Sequence, residues 1–137
     1  NNIDNSEHLS FVKGDITKSK ITPVRVHVVN VFQDLIGIEH SRSDLIKKGF
    51  NKINDIGFGV VIFIRDTNEN VISNNLNKIN NNNPSKEIEL REYGVGAQIL
   101  LDLGIRNIKL ISDSKSTLLN IEGYNLEINE RIPLSDK

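Results

Sequence analysis

The sequence predicts an α/β fold in which helices pack on a mixed β-sheet. Residues 24–31 (VRVHVVNV) are rich in valine, which favours a strand. Residues 59–65 (GVVIFIR) are almost entirely apolar, as expected of a strand covered on both faces. Between them, residues 43–53 carry apolar side chains at helical spacing. A strand, a helix and a buried strand in this order indicate a right-handed crossover unit with parallel strands.

Shorter patterns predict the neighbouring elements. We expect the first strand in residues 8–16, where it closes at Gly14 and Asp15. The helix of the crossover has Ser43 as its N-cap, and the glycine at position 49 weakens it. The apolar face of this helix is formed by Leu45, Ile46, Gly49, Phe50 and Ile53.

Residues 91–104 (REYGVGAQILLDLG) predict a helix that packs on the sheet. Arg91 lies in the first turn, where nearby acidic groups complement the helix dipole, and Gly104 ends the helix. Its apolar stripe, at three- and four-residue steps, comprises Tyr93, Ala97, Leu100, Leu101 and Gly104.

The rest of the chain predicts two further strands around a short helix. Residues 105–112 form one strand, and a turn at residues 113–116 leads into a helix that stops near Gly123. Residues 126–134 form the last strand. Its alternating positions are Leu126, Ile128, Glu130 and Ile132.

Two polar segments are expected to lie outside this framework. Residues 1–7 are predicted to be a frayed tail. Residues 74–83 contain seven asparagines and are followed by Pro84, so residues 66–86 are expected to be a mobile loop or a short frayed helix. Residues 1–137 together are predicted to form a single domain.

Composition excludes several classes of function. With 18 acidic and 17 basic residues, the net charge of −1 gives no electrostatic reason to expect nucleic acid or an anionic membrane as a partner. No apolar run approaches the roughly 20 residues needed to span a bilayer, so we expect a soluble cytoplasmic protein. The absence of cysteine excludes disulfides and thiolate metal sites. The absence of methionine leads us to expect a piece of a longer polypeptide.

Residues 89–100 (ELREYGVGAQIL) follow the pattern (D/E)-x-R-x-Y-G-(I/V)-G-A-Q-I-L. On this segment the chain resembles the GTP cyclohydrolase II family of riboflavin biosynthesis. Residues 11–16, 24–27 and 122–134 also look like family segments, in the family's order. The resemblance implies a homodimeric α/β fold, Arg91 as the catalytic nucleophile and Glu89 as the proton acceptor.

The family's zinc ligands are missing from the matching positions. The family opens the imidazole ring of GTP with zinc-activated water, releases formate and pyrophosphate, and holds the zinc with the cysteines of H-S-E-C-x10-C-x-C. Aligned from His27, these cysteines fall on Asn30, Ser41 and Ser43. Serine and amide oxygens are poor zinc ligands, so neither a metal nor another cofactor is predicted.

Nearby histidines leave a second interpretation open. His27 and His40, with Asp34 and Glu39 between them, are the residue types of a carboxylate–histidine metal site. In the competing interpretation, His27 is a hydrogen-bonded structural histidine of the valine-rich strand.

The segments that bind GTP in the family also differ here. The family continues R-Q-E-G-R-G-I-G after the buried strand, whereas Arg65 is followed by DTNENV, in which Asp66 and Glu69 would repel a triphosphate. The family turn T-N-N-P-x-K becomes SDSKST, in which Ser112 keeps the hydroxyl and Thr117 replaces the lysine. The GTP-binding positions that the resemblance still implies are Arg25, His27 and Ser112.

Arg91 and Glu89 also have a structural interpretation. Residues two apart on a regular helix do not face the same way, so Glu89 is expected before the first turn. Arg91 with Glu87 or Glu92 would then form an ordinary ion pair at the start of the helix.

Three functions follow from these observations. The first is a degenerate GTP cyclohydrolase II domain, a pseudoenzyme without zinc-dependent ring opening, which serves as a dimerisation or regulatory module. Its expected partners are a second copy of the chain and a fused 3,4-dihydroxy-2-butanone 4-phosphate synthase, with which the family is often joined. The second is an enzyme that still opens GTP with substitute metal ligands. The third binds a nucleotide or a flavin-pathway ligand without chemistry.

Overall fold

The structure is a computed structural model that describes residues 5–38, 44–81, 86–114 and 124–135, with side chains except at 81 and 86–91. The strands are β1 (Leu9–Lys13), β2 (Thr22–Val28), β3 (Gly59–Ile64), β4 (Asn107–Ile111) and β5 (Glu127–Ile132). The helices are α1 (Leu45–Ile56), α2 (Val71–Asn81), α3 (Lys86–Asp102) and a π-helix (Val31–Ile36). Among the described residues, no helix is long and apolar enough to cross a membrane.

The five strands form one mixed sheet in the order β1-β3-β2-β4-β5. β1 pairs antiparallel with β3, whereas the pairs β3–β2, β2–β4 and β4–β5 are parallel. The predicted mixed α/β architecture is therefore confirmed. The parallel pairing of β2 with β3 across α1 also confirms the expected crossover unit.

Helices cover both faces of the sheet, and each face has its own core. On one face, called the α3 face, Ala97 and Leu100 are fully buried against the valines and isoleucines of β2 and β3. On the other, called the α1 face, Ile53 packs with Val61. Because alternate strand residues point to opposite faces, β2 sends its valines to the α3 face and Arg25 to the α1 face.

α3 ends where the sequence predicts, through a Schellman motif at Gly104. The Gly104 N–H donates to the Leu101 carbonyl and the Ile105 N–H donates to the Leu100 carbonyl, each at 2.9 Å. Gly104 has φ +78°, a left-handed conformation that glycine adopts at little cost. Ile105 and Leu100 are both buried, which adds the apolar contact typical of this motif.

α3 begins at Lys86, five residues before the predicted start at Arg91. Glu89 is therefore part of the helix, and the expectation that it precedes the first turn is wrong. The acidic residues at positions 87 and 89 favour this earlier start, because negative charge stabilises a helix N-terminus.

A helix, α2, occupies part of residues 66–86, where a loop or a short frayed helix is predicted. Its partly or fully buried positions are 71, 74, 75, 78 and 79, which repeat at helical spacing. Asn75 is among them and is only 5% exposed. Amide side chains thus occupy positions that apolar residues usually fill, which is why composition alone did not reveal an ordered helix.

β5 contains a one-residue bulge at Asn129, between the residues Ile128 and Glu130 that pair with β4. Ile128 packs on the α3 face, whereas Ile132 packs on the α1 face. The uninterrupted alternation predicted for this strand is therefore wrong after Ile128, because an extra residue moves every later side chain to the opposite face.

Candidate functional site

Several of the residues predicted to act on GTP lie near the carboxyl ends of β2 and β4. β2 carries Arg25 and His27, and Asn30 follows it. Ser112 follows β4 directly. In α/β sheets, ligands bind in the crevice at this edge, so the fold places these residues where a site is expected.

His27 is paired with Asp34, seven residues later. Nε2 of His27 lies 2.9 Å from Oδ2 of Asp34, and the two side chains are 6% and 8% exposed. The carboxylate accepts this hydrogen bond, so Nε2 carries the hydrogen. The ring of Phe63 packs edge-on to the imidazole, with 5.8 Å between centroids. His27 is thus held by side chains of this chain, as the structural interpretation expects.

Asn30, at the family's first zinc position, caps the π-helix that follows it. Its backbone is extended, and its Oδ1 accepts hydrogen bonds from the N–H groups of Phe32 at 3.0 Å and Gln33 at 3.2 Å. Its own N–H donates to Oδ2 of Asp34 at 2.8 Å. The side chain therefore performs the ordinary role of an asparagine N-cap.

Arg25 is enclosed between α1 and the end of β4. Its Nη1 donates to the Ile111 carbonyl at 3.2 Å. Its aliphatic stem lies against Gly49 of α1, where a Cβ atom would be 3.2 Å from Cγ of Arg25. The glycine that weakens α1 in the sequence is thus explained, because it leaves room for the arginine.

Ser112 is 2% exposed and closes a tight turn. Its Oγ accepts from the Ser114 N–H at 3.1 Å and lies 3.3 Å from the Ser114 carbonyl, to which it donates. The carboxylate of the next residue, Asp113, ties this turn to the end of the chain. It accepts from the Leu134 N–H at 2.9 Å and from the Ser135 hydroxyl at 2.7 Å.

The environment of Asp113 lowers the pKa of its carboxyl. Partial burial acts to raise the pKa of its carboxyl. The hydrogen bonds from Ser135 and Leu134, together with the charge of Arg25, outweigh burial and hold the pKa below the ordinary value of 3.8. The charge of Arg25 therefore acts on a carboxylate of this chain at the place where the resemblance implies a bound nucleotide.

Arg91 and Glu89 approach the same edge from the α3 face. Gly96 lies against Val26 and Ile64, near the ends of β2 and β3, and α3 runs from there towards the start of β4. Arg91 precedes Gly96 by five residues, which is about 8 Å along a helix axis. The backbones of both predicted catalytic residues are therefore on α3, and their side chains lie outside the described part.

Arg65, where the family's phosphate-binding segment would begin, is tied to the start of the chain. Its N–H donates to Nδ1 of His8 at 3.0 Å, and its Nη1 donates to the Glu7 carbonyl at 3.4 Å. Oγ of Ser6 lies 2.8 Å from Nε2 of His8, and Ser6 is 5% exposed, whereas residues 1–4 of the predicted frayed tail lie outside the described residues. Asp66 accepts from the Asn68 N–H in a local turn.

A groove of the described structure lies away from this edge. It has a volume of about 290 Å³ and lies between β1 and α1, where Phe11, Phe50 and Val61 line it. Lys13 and Asn54 are hydrogen-bonded across it. None of the residues predicted to bind GTP lines this groove, so its volume does not support a nucleotide site there.

The described residues do not fit a zinc ion. They include no group of three histidine, aspartate or glutamate side chains placed to hold a metal. The amide oxygen of Asn30 already accepts two hydrogen bonds, and His27 offers at most its second ring nitrogen. The other positions considered from the sequence lie outside the described residues: Glu39, His40, Ser41, Ser43 and Thr117.

The fold and this edge define an α/β domain whose candidate site lies where parallel strands end. A sequence profile of the GTP cyclohydrolase II family matches residues 1–133, so the chain belongs to that family.

Curated relatives agree with this assignment. The chain is 31% identical to "Riboflavin biosynthesis protein RibBA" of Bacillus mycoides, over 98% of this chain and 37% of the relative. It is 32% identical to "Monofunctional riboflavin biosynthesis protein RIBA 2, chloroplastic" of Arabidopsis thaliana, over 96% of this chain and 29% of the relative. The chain thus spans about a third of the length of these proteins.

Proposed function

We propose that this chain is a GTP cyclohydrolase II-type domain of riboflavin biosynthesis that does not perform zinc-dependent ring opening. The observation that carries the proposal is the role of Asn30, whose side chain caps a helix at the position of the family's first zinc ligand. Without a zinc ion, no described group would bring the pKa of a bound water near 7, which the hydrolytic step requires.

The residues that match the family's triphosphate-binding segments also support loss of activity. Arg65 is hydrogen-bonded to the start of the chain, and Asp66 and Glu69 follow it with negative charge. Arg25 and Ser112 are engaged with the backbone of this chain. A nucleotide would have to compete with these contacts and with like charge.

The domain instead serves as a dimerisation or regulatory module. Support comes from large apolar side chains that are exposed after β2 and β3. Leu35 is 81% exposed and Ile36 is 60% exposed on the π-helix, and Ile72 and Leu76 are about half exposed at adjacent turns of α2. Exposed apolar groups of this kind are typical of surfaces that associate. The proposed partners are a second copy and a 3,4-dihydroxy-2-butanone 4-phosphate synthase domain, in the cytoplasm.

Zinc content and formate release test this proposal together. Purified protein would be analysed for bound metal and incubated with GTP and added zinc, with an active GTP cyclohydrolase II as the positive control. We expect no stoichiometric zinc and no formate above the buffer blank. Zinc-dependent formate release by this chain would refute the proposal.

A second candidate function is nucleotide binding without chemistry. It is favoured by the survival of Arg25, His27 and Ser112 at one edge of the sheet. Calorimetric titration with GTP, ribulose 5-phosphate and riboflavin separates the two functions. Saturable heat with any of the three would favour the binding function, whereas a scaffold gives none.

A further inference from the structure

The π-helix after β2 is held by side-chain hydrogen bonds more than by apolar packing. None of its residues is buried as a whole, and Leu35 and Ile36 point largely into solvent. A six-residue helix is too short to be stable by itself, and π-helical turns are uncommon. Specific contacts must therefore fix this segment.

The contacts converge on Asp34. Its Oδ2 accepts from Nε2 of His27 at 2.9 Å and from the Asn30 N–H at 2.8 Å. Burying a carboxylate is costly unless it is paired and hydrogen-bonded, and the Asp34 side chain is only 8% exposed. These bonds join the end of β2 to the second half of the π-helix.

The side chain of Asn30 holds the first turn of the π-helix. Its Oδ1 accepts from the Phe32 and Gln33 N–H groups, which lie in the first turn, where backbone N–H groups have no acceptor within the helix itself. His27, Asn30 and Asp34 together form what we call the Asp34 clasp. The four hydrogen bonds of the clasp given above join described residues.

We propose that Asp34 is a positioning residue that acts through His27 and Asn30, and that the Asp34 clasp replaces a metal ion as the tie that shapes this loop. The inference rests on the proposed absence of zinc-dependent chemistry. It adds that the loop is ordered without metal, so that its shape and its exposed apolar residues persist in metal-free protein.

Amide hydrogen exchange at single residues tests the proposal. In Asp34→Asn, the Asn30 amide should exchange roughly tenfold faster, because a neutral amide oxygen accepts a hydrogen bond about half as strongly as a carboxylate. In Asn30→Ala, the Phe32 and Gln33 amides should exchange about fivefold faster, whereas Asn30→Asp should keep their protection because aspartate also caps helices. Asp55→Asn, the same chemical change at an exposed position of α1, should alter none of the three.

The amide of Leu110 in the core provides an internal reference for global unfolding. A variant that only destabilises the whole protein would accelerate Leu110 together with the loop. Exchange in wild-type protein should be the same with and without a chelator. Unchanged loop exchange in Asp34→Asn, or acceleration by chelator alone, would overturn the proposal.

Formate release is measured separately on the same preparations. Zinc-dependent turnover in wild-type protein would refute the proposed function. If loop protection still depended on Asp34 and not on metal, the clasp would stand. Failure of the proposed function and failure of the proposed clasp can therefore be told apart.

Discussion

Replacing Gly59 by alanine is expected to destabilise the protein more than replacing Gly57, although both glycines have positive φ. Gly59 has φ +144° at the start of β3. A Cβ atom there would lie 2.6 Å from the Pro23 carbonyl oxygen and 2.6 Å from Cδ1 of Ile53. Gly57 has φ +100°, and nothing lies within 4 Å of the corresponding position.

The two positions therefore separate backbone strain from steric overlap. A non-glycine residue in such a conformation costs on the order of 1–3 kcal/mol, and both substitutions carry this strain. Only Gly59→Ala also forces atoms into a filled space, which typically adds about 1–3 kcal/mol. The free energy of unfolding should fall by about 1–3 kcal/mol for Gly57→Ala and by about 2–6 kcal/mol for Gly59→Ala.

Urea unfolding followed by far-ultraviolet circular dichroism measures both changes. Small proteins have m-values of about 1–3 kcal/mol/M in urea, so a difference of about 2 kcal/mol separates the two midpoints by roughly 1 M. Equal midpoints for the two variants would refute the close approach of β2 and α1 to Gly59. Unequal m-values would call for comparison of the free energies instead.

Three further predictions follow from burial, charge and exposure. Leu100 is fully buried, so Leu100→Ala should lower the free energy of unfolding by about 2–5 kcal/mol. Leu76 is half exposed, so Leu76→Ala should lower it by about 0.5 kcal/mol or less. Thermal unfolding of the two variants measures both changes. Because folding lowers the pKa of Asp113, the ionised carboxylate stabilises the folded protein above about pH 3.8. The difference in the free energy of unfolding between wild type and Asp113→Asn should therefore shrink as the pH falls below that value. A difference that stays constant with pH would contradict this prediction. If the exposed π-helix mediates association, Leu35→Glu should shift the sedimentation of concentrated protein towards the monomer, whereas Asp55→Asn should not.

The sheet could be predicted because its pattern is strong and local. Valines at alternate positions of β2 and the apolar run of β3 are enough by themselves to indicate buried parallel strands. The bulge at Asn129 could not be predicted, because a single extra residue leaves no mark in a strand whose outer positions are polar. The extent of α2 within residues 66–86 could not be predicted for a related reason, since amides such as Asn75 occupy its buried positions.

For the candidate site, the sequence predicts residues but not their contacts. Arg25, His27 and Ser112 were identified from the resemblance, which says nothing about their partners in this chain. The bond between His27 and Asp34 depends on a π-helix, which sequence patterns rarely indicate. The contact of His8 with Arg65 joins residues 57 positions apart and depends on β1 pairing with β3.

The zinc dependence of formate release from GTP is the most direct test of the central claim, that this family member has kept the fold and lost the metal-activated water. Metal-free protein would be assayed with saturating GTP before and after zinc is added, beside an active family member treated in the same way. We predict no formate from this chain in either condition. Formate that appears with zinc, disappears with chelator and is lost in Arg91→Ala would contradict the claim.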